Sequence, residues 1–149
     1  MMKVSVVALC LVLGGAVPAV AAGNPFLGVW HVASAKPASW SSGSAPSPKI
    51  DKTLAHALIK FGDDSVYGPP PVACRDVHYR LVTVGPDALF GGSLKDPPAD
   101  AKALGFTSDS ILTMSESCEG NASDLSFAMV DHKTVLLSVD NVIYTLKRR

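Results

Sequence analysis

Asp76, His78 and Arg80 alternate with Val77 and Tyr79, and in an extended strand residues two apart project from one face about 7 Å from each other. A carboxylate, an imidazole and a guanidinium in such a row could bind an anion or tune the imidazole for proton transfer. The same alternation describes the wet face of any antiparallel strand with one dry side, so the three are candidate binding residues rather than a catalytic set. The remaining histidines, His31, His56 and His132, stand in no H-E-x-x-H or comparable ligand spacing, and past residue 22 the only glutamates are Glu116 and Glu119. No metal or cofactor is expected. Serines are numerous, yet no G-x-S-x-G elbow occurs, Gly92-Ser93 follows no strand, and no glycine-rich loop leads from a strand into a helix to cradle phosphate. These absences argue against an enzyme. Asn121-Ala122-Ser123 matches the N-glycosylation pattern, a motif short enough to occur by chance.

The two tryptophans pose different questions. Trp30 lies inside a strand pattern, where an indole buries a large apolar area as core. Trp40 lies in a stretch of Ser, Pro and Gly that has no need of it for propensity. An indole there must cover something or await a partner. Two readings stay open for Trp40: a plug folded across the mouth of a barrel, or a binding residue.

Residues 1–22 carry Lys3, an apolar run from Val4 to Val17 and the small residues Ala19-Val20-Ala21-Ala22, the three parts of a secretory signal peptide. Gly14, Gly15 and Pro18 interrupt the run, which is shorter than the roughly 20 residues a membrane span requires. A single domain over residues 23–149 is expected, with no transmembrane segment once the signal is cleaved. Its length of about 127 residues suffices to bury something like two thirds of the unfolded surface. Cys74 and Cys118 are the cysteines that remain, and in an oxidising compartment such a pair tends to close into a disulfide. Joining a loop of about 45 residues removes roughly 4 kcal/mol of denatured-state entropy. Thirteen basic residues balance thirteen acidic ones, which leaves no electrostatic footprint for nucleic acid.

Period-two alternation dominates the chain beyond the leader. Strands are expected at Leu27 to Ala33, Ala57 to Phe61, Ser65 to Tyr67, Cys74 to Thr83, Asp109 to Ser117, Asp124 to Val130, Thr134 to Val139 and Val142 to Leu146. Gly62-Asp63-Asp64, Glu119-Gly120-Asn121, Asp131-His132-Lys133 and Asp140-Asn141 suit tight turns. One short helix is expected after Asp96, with Pro97 in its first position and Gly105 to end it. About eight short antiparallel strands and one helix fit an all-β, up-and-down barrel, which leaves no exposed edge. Eight strands enclose room for packed side chains or for one small ligand.

Gly28-Val29-Trp30 at the start of the first strand, a long first loop, a closing meander and one disulfide resemble the calycin or lipocalin-like group of small barrels. In that group G-x-W opens the barrel and its tryptophan packs across the closed end, so the resemblance makes Gly28 and Trp30 structural barrel residues. It also implies an arginine from late in the chain over that tryptophan. Arg148 is the candidate, the alternative being that Lys147-Arg148-Arg149 is a solvated tail. The chain is further similar to small uncharacterised exported bacterial proteins. The shared residues are Gly28-x-Trp30, Phe61, Gly68-Pro69, Cys74, Tyr79, Leu89-Phe90-x-Gly92, Ala103-Leu104-Gly105, Cys118 and Asp140-Asn141-x-Ile143-Tyr144. That similarity implies a periplasmic or secreted location and the barrel, with no activity attached. Bacterial barrels of this size include inhibitors of secreted metalloproteases and of lysozymes, a likeness of fold from which no residue transfers.

The functional expectation is a protein-binding or inhibitor-type module that meets a secreted or envelope protein. Its contact surface is expected on the two long connections, Ala35 to Lys52 and Gly85 to Phe106, since recognition concentrates on loops held by a rigid scaffold. A carrier with a small apolar ligand inside the barrel is the alternative, and an envelope structural component is a third reading.

Overall fold

The computed structural model describes residues 23–119 and 125–149. The leader expected at 1–22, the turn expected around Gly120 and the Asn121–Ser123 pattern therefore lie outside the described residues. Within them, nine strands run β1 (Gly28–Pro37), β2 (Leu58–Phe61), β3 (Ser65–Tyr67), β4 (Cys74–Arg75), β5 (Val77–Val84), β6 (Ile111–Cys118), β7 (Leu125–Asp131), β8 (Thr134–Val139) and β9 (Val142–Arg148). They form one antiparallel sheet in the order β4-β3-β2-β1-β9-β8-β7-β6-β5.

The two ends of that order meet. β4 and β5 are separated only by Asp76, whose φ of 50° lies in the left-handed region that Asp tolerates better than most residues. The expected strand from Cys74 to Thr83 is thus a single stretch bent at Asp76. Its first part pairs with β3 and its second with β6, which makes nine strands out of the expected eight and rolls the sheet into a nearly closed up-and-down barrel. Across the seam Val77 N–H donates to the Asp64 carbonyl at 3.0 Å, and the Tyr79 hydroxyl donates to the Gly62 carbonyl at 2.9 Å. The Cys74–Cys118 disulfide, with its Cα atoms 5.7 Å apart, links β4 to β6 beside those bonds.

Alternation decides what faces inward. Trp30 and Val32 on β1, Phe61 on β2, Phe127 on β7, Leu137 on β8 and Tyr144 and Leu146 on β9 fill the interior, and the Phe61 and Phe127 rings meet edge to face at 5.0 Å. Among the described residues these side chains form one contiguous buried cluster. At the end where β1 begins, Phe26 is fully buried and its carbonyl accepts from Trp30 Nε1 at 2.7 Å. The Arg148 guanidinium lies 4.1 Å from the Trp30 ring centroid. It donates to the carbonyls of His132, Leu27 and Pro25, so the basic end is part of β9 and not a solvated tail. At the end where β1 finishes, Leu54 enters the same core from the long connection, and Asp51 N–H donates to the Tyr144 hydroxyl at 3.0 Å.

A second core lies outside the wall. The helix α1 (Pro97–Ala103) is capped by Asp96, which accepts from Ala99 N–H. A kinked run of 3-10 turns at Pro86–Gly91 precedes it. Leu89, Leu94, Ala101 and Phe106 from this connection cover the outward-facing Ala128, Leu136 and Ile143 of β7, β8 and β9. The three strands are therefore dry on both faces, which explains the near-continuous apolar runs at Phe127–Val130 and Val135–Leu137 where strict alternation fails.

Candidate functional site

His78 and Arg80 project outward from β5 as the alternation requires, and both are exposed. Asp76 does not join them. Its left-handed backbone takes it out of the strand, and it lines an open depression of about 710 Å³ with Asp64, Tyr67 and Arg75. Arg80 lines a different hollow of about 260 Å³, beneath Phe90. The three-residue row expected from spacing is thus split, because the spacing rule holds only while the strand continues. Among the described residues no group of three or more His, Cys, Asp and Glu side chains is placed to hold a metal ion.

Trp40 sits on the outer wall and not across the mouth. Ala38 N–H donates to the Asn141 carbonyl at 2.8 Å, steering the chain outward after β1, and Trp40 Nε1 donates to Asn141 Oδ1 at 2.9 Å. The indole stacks on Phe90 with centroids 5.4 Å apart. The residue of the same connection that joins the barrel core is Leu54, further along it. Phe90 holds φ 49° and ψ 40° and is followed by Gly91 and Gly92, also at positive φ. A left-handed backbone at a bulky side chain costs on the order of 1 kcal/mol, and here it turns the ring toward Trp40. Half-buried, the two rings join the two long connections into one ridge over the second core.

Glu116 is the residue that spacing alone did not single out. It is in phase with Met114 on β6, so it points into the barrel, where it is 1% exposed and its Oε2 has no hydrogen-bond partner among the described residues. Desolvation pushes its pKa up to about 8, so the carboxyl is held protonated where a free glutamate would be charged. Tyr79 faces it across the β5–β6 ladder. The Tyr79 hydroxyl is raised well above its ordinary value by burial, with Glu116, Asp63 and Asp64 adding to the shift. The signal was legible in Met114-x-Glu116-x-Cys118, where a strand whose other inward positions are apolar carries one acid.

No helix among the described residues is long and apolar enough to cross a membrane. Compared with protein-family models, with curated proteins and with solved structures, the chain matches none.

Proposed function

We propose that this protein is an exported, lipocalin-like barrel of the bacterial periplasm or exterior that works as a protein-binding or inhibitor-type module and not as a catalyst. The observation that carries this reading is the Trp40–Phe90 stack. It fuses the two long connections into one surface, and a half-buried aromatic pair held on a rigid base has the character of a binding hot spot. The second core beneath supplies that base through Ala38, Leu89 and Phe106. Because Trp30, Phe61, Phe127 and Tyr144 occupy the barrel interior, the alternative of a carrier with an internal apolar ligand has less support. Gly28, Trp30 and Arg148 at one end of the barrel favour the lipocalin-like reading, and the disulfide favours an oxidising compartment.

Photo-crosslinking residues at Ser42 and Lys95, one on each connection, are expected to capture the same secreted or envelope protein. The reconstituted complex is expected to weaken about tenfold or more in Trp40→Ala. Release of a stoichiometric small molecule on denaturing mass spectrometry, with no protein captured from either position, would replace this reading with the carrier.

A further inference from the structure

β5 presents a second feature beside that ridge. Arg80 pairs with Ser115 on β6, and Ser115 with Ser126 on β7, so the three outward side chains form a polar row across three strands. The next row is Val82, Thr113 and Ala128, and Leu89 and Phe90 overhang it from the connection after β5. The hollow between them has a cation at one end, an apolar and aromatic wall at the other, and a floor of small side chains. Thr113 Oγ1 donates to the Val82 carbonyl at 2.9 Å and Ser115 Oγ to the Arg80 carbonyl at 3.5 Å. Among the described residues no carboxylate lines the hollow.

We infer that the hollow under Phe90 binds a small amphipathic monocarboxylate, its carboxylate on Arg80 and its apolar body against Val82, Ala128 and Phe90. One guanidinium matches one carboxylate, whose two oxygens fit the planar fork bidentately. A phosphate dianion would require a second cation or an array of free backbone N–H donors, whereas the backbone here is committed to the β5–β6–β7 ladders. The volume of about 260 Å³ falls just below the range of drug-sized sites and suits a ligand the size of an aryl acetate. The left-handed Phe90 backbone has a use in this arrangement, since it sets the ring as the wall of the hollow while its other side stacks on Trp40. This site shares Phe90 with the proposed protein contact, but its anion is held by Arg80, which lies outside the Trp40–Phe90 stack, so either reading can stand without the other.

Indole-3-acetate is the probe, titrated into the full protein while the backbone amide signals of Arg80, Ser115, Ser126 and Phe90 are followed by NMR. Saturable shifts confined to these residues are expected, with a Kd in the millimolar range or tighter. Arg80→Gln is expected to weaken binding about tenfold, as is replacing the probe by the corresponding indolyl ethanol. Ser126→Leu, which fills the floor without touching Arg80, is expected to abolish it. Arg75→Gln, in the neighbouring depression, is expected to change nothing. The assignment is overturned by an absence of saturation up to about 10 mM, by equal binding of the alcohol, by equal binding of inorganic phosphate, or by an unchanged Kd in folded Arg80→Gln.

Discussion

Single side chains set two quantities that can be measured directly. In the unfolded chain Glu116 releases its proton near the ordinary value of 4.5, whereas the folded barrel retains it to about 8. Between those values the folded state binds more protons, so stability falls as pH rises through this window and levels off above it. Urea midpoints taken near pH 5 and pH 9 are expected to differ in the wild type and to coincide in Glu116→Gln. Arg148 acts by geometry as much as by charge, with its ring contact and three carbonyl acceptors. Arg148→Ala is expected to cost about 2 to 4 kcal/mol of unfolding free energy, since it leaves those carbonyls with only solvent to turn to and uncovers Trp30. Arg148→Lys keeps the charge but not the fork, and denaturant titration is expected to place it between the two. That an arginine would cover Trp30 came from the resemblance alone. Glu116 was visible as a phase violation, yet its cost depends on neighbours from other strands, which one strand's sequence does not specify.

At the level of elements, local chemistry was legible and long-range placement was not. Asp96, Pro97 and Gly105 marked the helix, and it forms over Pro97–Ala103. Nothing in its seven residues says that it packs against β7 to β9, because a helix this short carries too few turns for a defined apolar stripe. Asp140-Asn141 marked the last hairpin, and both residues adopt positive φ, as a type I′ turn requires. Asn141 also accepts from Trp40 Nε1, a role that no turn rule predicts. Asn141→Gly separates the two: the turn is kept, and the indole loses its acceptor. The expected result is an unfolding midpoint changed by less than about 1 kcal/mol in stability, together with a red-shifted, more quenchable tryptophan emission. The spacing predicts one continuous strand from Cys74 to Thr83, and the bend at Asp76 is not legible in it because Asp has no obligatory conformation there.

For the whole molecule, closure rests on a seam with little hydrogen bonding. Among the described residues, one backbone bond, one tyrosine hydroxyl and the disulfide hold the Asp64 side to the β5 side. The double variant Cys74→Ser, Cys118→Ser is therefore expected to lose roughly 4 kcal/mol. Hydrogen exchange is expected to rise first at Val66, Val77 and Tyr79, before β8 and β9, which are paired on both sides. The meander and its strand count could be read from alternation and turns. The outer layer that covers β7 to β9 could not, since it depends on where a connection of roughly twenty residues, long for a compact domain, chooses to lie.

Val77 stands opposite Cys118 in the β5–β6 ladder, so aligning those two strands brings Cys118 to within three residues of Cys74. That alignment involves neither the pairing of β1 with β9 nor any residue before Cys74. Oxidation can thus precede assembly of the cylinder, and a chain meeting a thiol oxidant early would be latched while its first and last strands were still apart.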